Sequence, residues 1–296
     1  MINPPLPRLW LRLTPLFLSS RPIEVLGPSH QRVRRLRRLG QKRSLRWSDG
    51  VCVIEGLDLV TAALDADVSF EALFVDEREV HGEALRGVLA RARDAGVRLF
   101  ALAGSTLERV GDAATPQPLI GVVQIVSVTL DAPRDEGVVL VLHDVRDPGN
   151  AGTLIRSADA SGVAAVVFSG HSVDPYNPKT LRASAGSIFR VPIIVAPFEE
   201  VVNHARSVGI RLLATVVRSA VDFREVDFTA PCAVVIGNES SGLDAVTRGL
   251  CDSEFSIAMV GGSESLNAGV AGSLVVFEAL RQRKSAGSSH TQPPSP

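Results

Sequence analysis

No stretch of the chain holds about 18 consecutive apolar residues, the length a helix needs to cross a bilayer, so a membrane-spanning helix is excluded. The leader segment Leu9-Trp10-Leu11-Arg12-Leu13-Thr14-Pro15-Leu16-Phe17-Leu18 is interrupted by Arg12 and Pro15. No small-residue cleavage site follows it, which argues against a secretory signal. Cysteine is scarce: Cys52, Cys232 and Cys251 are the only three, with no CxxC pair and no histidine at ligand spacing. That argues against a zinc site and a disulfide framework, and for a reducing compartment, the cytoplasm. Glycine signatures for phosphate are missing too. No G-x-G-x-x-G follows a strand, and Gly237 to Gly242 has P-loop spacing but Leu243 and Asp244 where Lys and Ser/Thr are required. There is no internal repeat.

What is present fits two globular domains: 296 residues, 45% apolar, with scattered charge. A formal net charge of −1 conceals an uneven distribution. Between His30 and Trp47 stand Arg32, Arg34, Arg35, Arg37, Arg38, Lys42, Arg43 and Arg46, with no acid among them. Val33, Leu36 and Leu39 recur at helical spacing, so one face docks and the rest is basic. Such a run is either a solvated helix face or a phosphate-binding surface. The lack of any local counter-charge favours phosphate, with RNA backbone as the natural partner.

The chain reads as a leader over 1–28, a small α/β domain over 29–129, a linker over 130–136, a larger α/β domain over 137–284 and a disordered tail over 285–296. In the first domain, strands are expected at 51–55, 72–75, 97–101 and 120–126, and helices at 57–66 and 84–95. The second domain alternates strands (138–142, 164–168, 191–195, 212–216, 233–236) with helices, the pattern of a parallel, doubly wound sheet.

Three stretches of the second domain stand out. The first, residues 137–163, joins the apolar strand Val138 to Leu142 to a polar loop, Asp144-Val145-Arg146-Asp147-Pro148-Gly149-Asn150. A helix follows from about Ala151, with Asn150 as its candidate N-cap and Gly162 as its stop. The second is Val234-Val235-Ile236-Gly237-Asn238-Glu239-Ser240-Ser241-Gly242-Leu243. The third, Ile257-Ala258-Met259-Val260-Gly261-Gly262-Ser263-Glu264-Ser265-Leu266-Asn267, precedes a helix running to about Arg283. Loops at the carboxyl ends of strands are where open α/β sheets place ligands.

In order, spacing and flanking elements these stretches resemble the three motifs of the SpoU-type (TrmH-like) RNA ribose 2′-O-methyltransferases of the SPOUT superfamily. The phrases Lys42-Arg43-Ser44-Leu45-Arg46 and Val53-Ile54-Glu55-Gly56 resemble the small ribosomal-protein-like RNA-binding domain that many of these enzymes carry in front. The resemblance implies a deep C-terminal trefoil knot, a homodimer and S-adenosyl-L-methionine as cofactor. It places the cofactor against residues matching Gly237, Ile257 and Leu266, whose other reading is plain core packing. It assigns the chemistry to Asn150, Arg156, Glu239, Ser265 and Asn267. Arg156 would orient the ribose 2′-hydroxyl and a phosphate; a guanidinium is a poor base. RNA contact falls to Arg34, Arg35, Arg37, Arg38, Lys42, Arg43 and Arg46. Where the family usually has Ile-Pro-Met, this chain has Ile257-Ala258-Met259, which loosens the backbone there. Large-subunit rRNA is the expected substrate. A tRNA methyltransferase and a non-catalytic RNA-binding protein remain as alternatives. Val270, Leu274, Phe277 and Leu280 form a stripe along the last helix that is either core or a dimer seam.

Overall fold

The computed structural model describes residues 23–111, 116–131 and 137–288. The first half forms β1 (Glu24–Leu26), α1 (Gln31–Gln41), α2 (Arg43–Asp49), β2 (Val51–Glu55), α3 (Leu57–Asp65), β3 (Phe70–Asp76), α4 (Glu83–Asp94), β4 (Leu99–Leu102) and β5 (Leu119–Gln124). Its sheet runs β1-β4-β3-β5-β2; β5 lies antiparallel to both neighbours and the remaining pairs are parallel. Both faces are covered. Val33, Leu36 and Leu39 of α1 pack on Phe74, Phe100 and Val122. On the other face Val60 and Ala63 of α3 and Leu85 and Leu89 of α4 pack on Ile54, Leu73 and Val75. The expected leader over 1–28 gives way at Glu24–Leu26 to an edge strand whose Leu26 is buried. Residues 1–22 lie outside the described residues.

The second half forms β6 (Val138–His143), α5 (Pro148–Ser161), β7 (Ala165–Ser169), α6 (Pro178–Ser184), β8 (Ile193–Val195), α7 (Phe198–Val208), β9 (Arg211–Thr215), β10 (Cys232–Ile236), α8 (Ala245–Gly249), β11 (Ser253–Phe255) and α9 (Ala268–Ser288). The sheet is parallel throughout, in the order β11-β9-β10-β6-β7-β8. Val138 to Leu142 and Cys232 to Ile236 are apolar along their length because helices cover both faces of these central strands. The chain leaves β6 toward β7 and β8, then returns on the other side through β9 and β10. The order therefore reverses between β6 and β10, and a crevice opens at their carboxyl ends. Gly162 ends α5 in the left-handed conformation expected of a helix stop, φ 70°.

Some boundaries differ from the sequence expectation. Helix α5 begins at Pro148, not Ala151, because Asp147 is its N-cap and accepts a hydrogen bond from Asn150 N at 2.8 Å. Asn150 is thus inside the first turn and does not cap it. Helix α9 continues through Ser288, past the expected start of the tail at 285; residues 289–296, like linker residues 132–136, lie outside the described residues.

The two sheets are packed together. Pro178–Ser184 and the turn after it lie against β2 and α3, and a Cβ on Gly186 would sit 2.5 Å from the Ala62 Cβ. Arg182 reaches Glu55 at 3.6 Å across the junction. Among the described residues no helix is long and apolar enough to cross a membrane.

Candidate active site

The loops after β6 and β10 meet at one side chain. Glu239 accepts hydrogen bonds from the backbone N–H of Asp147 (3.0 Å) and Arg146 (3.2 Å) and from Asn150 Nδ2 (3.1 Å). Burial lifts the Glu239 carboxyl, but these donors outweigh it and hold the group below its ordinary range. Asn238 closes its own loop. Its Oδ1 accepts from the backbone N–H of Ser240 (3.0 Å) and Ser241 (3.1 Å), while its Nδ2 donates to the Asp144 carbonyl at 2.9 Å. The loop then returns on itself through paired backbone bonds between Asn238 and Gly242. Gly237 permits that return: a Cβ there would lie 2.6 Å from the Gly242 carbonyl carbon and 2.7 Å from Leu243 N.

Beside this bracket lies a cavity of about 440 Å³, within the usual range for a small-molecule site. Its walls bring together Gly237, Ile257 and Leu266, the three residues expected at the cofactor, along with Glu239 and Ser265. The loop after β9, Thr215 to Arg218, completes the wall. Sequence reading passes over that loop, although β9 beside β10 at the carboxyl edge puts it there. The apolar surface of Ile236, Leu243 and Ile257, with main-chain groups of the Gly237–Leu243 loop at its edge, suits an aromatic base carrying a polar rim.

Asn267 stands at the start of α9, where its Oδ1 accepts from Val270 N at 3.2 Å and caps the helix. A Cβ on Gly269 would be 3.1 Å from Asn267 Oδ1 and 3.3 Å from Asn150 Oδ1, so this glycine lets α5 and α9 close and brings the two amides alongside. Ser157 and Ser273 bond across the same contact at 2.6 Å. Asn150, Glu239 and Asn267 are therefore gathered. Ser265 is exposed on the cavity wall, and Arg156 is exposed on α5, with no hydrogen bond or ion pair to the other described residues.

His143, at the end of β6, was not anticipated. Its ring lies between Ser169 Oγ (3.0 Å) and Thr247 Oγ1 (3.4 Å), and burial holds its pKa below the ordinary histidine value. It ties α8 to the central strands. The cysteine thiols are pushed up by burial, to about 11 for Cys232 and Cys251, which leaves them unreactive. Among the described residues no group of three or more His, Cys, Asp or Glu side chains is gathered as a metal site.

The basic run divides. Arg34, Arg38, Lys42 and Arg43 are exposed on α1 and α2. Arg35 is paired with Asp49 (2.8 Å) and Glu71 (2.6 Å), and Arg37 donates to the Arg109 carbonyl at 3.2 Å. Arg46 is a correction: it is only 2% exposed and ion-paired with Asp174 at 2.5 Å, so RNA cannot reach it. The counter-charges absent from the run come from elsewhere in the chain.

Comparison with known proteins matches both halves of the chain. The SpoU rRNA Methylase family profile matches residues 137–277, and the MRM3-like substrate binding domain matches residues 30–121. The chain is 33% identical over 250 residues to the 23S rRNA (uridine(2479)-2′-O)-methyltransferase of Streptomyces viridochromogenes, covering 81% of this chain and 86% of that one. It is 29% identical over 255 residues to the 23S rRNA (guanosine(2553)-2′-O)-methyltransferase RlmP of Bacillus subtilis, covering 86% and 98%. Among solved structures, the SpoU methyltransferase AviRb of Streptomyces viridochromogenes in complex with AdoMet superposes with a TM-score of 0.79 at 31% identity, covering 86% of this chain and 99% of that one.

Proposed function

The chain belongs to the SpoU rRNA methylase family, and on that premise we propose that it is an S-adenosylmethionine-dependent RNA ribose 2′-O-methyltransferase acting on large-subunit rRNA. One observation carries the reading. Glu239 binds the loop after β6 to the loop after β10, beside a cavity walled by Gly237, Ile257 and Leu266.

When bound there, S-adenosylmethionine supplies an electrophilic methyl group with a neutral thioether as leaving group. The chain's own residues have three tasks: to hold that donor, to bring a ribose oxygen in line, and to let the oxygen lose its proton. Gly237, Ile257 and Leu266 hold the donor. Arg156, exposed and unpaired among the described residues, orients the ribose and offsets phosphate charge. Ser265 and the amide of Asn267, at the start of α9, suit a second phosphate. Glu239 does not serve as the base, because four donors, Asn238 Nδ2 at 3.4 Å among them, already occupy it. It fixes the loops, and Asn150, bonded to it, lies beside the start of α9. The proton leaves to phosphate or water. A non-catalytic RNA-binding role would leave the cavity and the Glu239 bracket without use.

The same reading assigns 29–129 to RNA binding, supported by exposed Arg34, Arg38, Lys42 and Arg43, and 137–284 to catalysis. It includes the family's trefoil knot, cytoplasmic location and a homodimer. For the dimer, Val270, Leu274 and Phe277 support a seam, since each is more than 40% exposed and none belongs to the core of this chain. The test is transfer of tritium from labelled S-adenosylmethionine to rRNA, with mapping of ribose methylation. Incorporation at one ribose of large-subunit rRNA supports the reading, and none into any rRNA or ribosomal particle refutes it.

A further inference from the structure

A buried ion pair joins the two halves of the chain, and the functional reading gives it no task. Asp174, in the loop after β7, accepts through Oδ2 from Arg46 Nε (2.9 Å) and Nη2 (2.5 Å), and through Oδ1 from Trp47 Nε1 (3.2 Å). Both charged side chains are at most 4% exposed. Arg46 Nη1 also donates to the Leu39 carbonyl at 2.7 Å, so the guanidinium grips the end of α1 as well. The Trp47 ring meets Tyr176 edge-on at 5.9 Å, and the Tyr176 hydroxyl donates to the Val126 carbonyl.

From Asp174 the contact continues into the active-site loop. Val173 N donates to the Val145 carbonyl at 2.9 Å, and Val145 N donates to Ser172 Oγ at 3.1 Å. The next two residues, Arg146 and Asp147, give their N–H groups to Glu239. Hydrogen bonds joined through adjacent backbone residues thus lead from the helices that carry the exposed cations to the carboxylate that organises the site. A well-packed apolar pair would bury at least as favourably as this one, so stability alone does not account for it. Directional bonds from Arg46 and Trp47 to a single carboxylate fix an angle, which apolar packing does not.

We propose that Asp174 is a positioning residue, which holds the RNA-binding half of the chain at one angle to the loop bearing Arg146 and Asp147 so that a bound RNA presents its ribose at the cavity. This rests on the methyltransferase reading. Removing Asp174 alone would strand a buried guanidinium, so the test uses the full-length protein with Arg46→Met and Asp174→Asn together. Cofactor affinity by calorimetry, the salt dependence of RNA binding, and kcat and KM for rRNA are compared with wild type well below both melting temperatures. Cofactor affinity and KM are expected to stay within about threefold while kcat falls roughly 10- to 100-fold, the scale of a misplacement of about 1 Å. A folded double variant with wild-type kcat overturns the proposal. So does a rise in KM with kcat unchanged, since the pair would then serve RNA affinity. If the double variant does not fold, Trp47→Phe decides, because it deletes one donor to Asp174 and keeps an aromatic ring. A lowered kcat supports the proposal and an unchanged kcat overturns it. A wild-type protein that methylates no rRNA refutes the functional reading instead, an outcome distinct from variant and wild type turning over alike.

Discussion

Glu239→Gln tests whether one carboxylate organises the site. The shape is kept, the charge is lost, and one acceptor oxygen becomes an NH₂ group. If the Gln oxygen takes the place of Oε1, it still accepts from Asp147 N and Asn150 Nδ2, but more weakly without the charge. The NH₂ then faces the Arg146 N–H, donor against donor. Bonds to charged groups contribute roughly 1.5–3 kcal/mol and neutral ones about 1. The side chain is only partly buried, so solvent screening reduces the difference, and about 2 kcal/mol remains. If that energy is realised in the transition state, methyl transfer slows about 30-fold. The pH dependence has a definite sign. The folded-state pKa lies below the ordinary value of 4.5, so the carboxylate's stabilisation is complete above that value and is lost as pH falls through the folded-state pKa. Urea unfolding should therefore separate wild type from variant at neutral pH, and the gap should close in acid. Equal turnover and equal stability at neutral pH would refute the reasoning.

Other substitutions test other links. Gly237→Ala drives a methyl into the Gly242–Leu243 backbone and should weaken S-adenosylmethionine binding at least tenfold by calorimetry, about 1.4 kcal/mol. Arg156→Ala should cut methyl transfer by about 10²-fold while cofactor binding survives, as for a lost charge-stabilising group; loss of cofactor binding would show the assigned role to be wrong. Replacing Arg34, Arg38, Lys42 and Arg43 by alanine should flatten the salt dependence of RNA binding by about 3 in log–log slope, roughly 0.7–0.9 per phosphate contact, and an unchanged slope would leave these cations as a solvated face. Leu26→Ala should cost about 2–5 kcal/mol in urea unfolding if β1 is an integral edge strand.

Legibility followed the range of the forces involved. The central strands were readable because burial on both faces makes Val138 to Leu142 and Cys232 to Ile236 continuously apolar. Strands β1 (Glu24–Leu26) and β11 (Ser253–Phe255) were not, because three residues carry no period and, unlike the equally short β8, neither is a continuous apolar run. The Asp147-Pro148 signal for the start of α5 was present, since a capping side chain followed by proline at the first helical position needs nothing beyond the local chain. Arg46 could not be read locally. Its partner Asp174 lies 128 residues on, and counting charge in a window treats a buried cation like an exposed one. Gly237, Ile257 and Leu266 were named together by motif, but only folding shows that they share a wall with Thr215 to Arg218.

The five polar residues of the motifs separate into two groups by where their bonding capacity is used. Glu239 is taken up by the N–H groups of Arg146 and Asp147 and by Asn150, and Asn150 gives its amide to that same carboxylate. The Glu239 carboxylate engaged in this way cannot turn to a substrate except by breaking what it holds, and the Asn150 amide is held in one orientation by it. Arg156 and Ser265 are exposed, and the Asn267 amide nitrogen makes no hydrogen bond to the described residues. These are the groups open to a ribose and its phosphates. Dipoles held rigid before substrate arrives stabilise developing charge without reorganising, and that rigidity needs neighbours already satisfied. On the proposed reading, Asn150 and Glu239 would act on rate through geometry and Arg156 through contact. The two kinds of residue should differ in what they do to cofactor binding: loosening the loops disturbs the Gly237 wall, and truncating Arg156 leaves it intact.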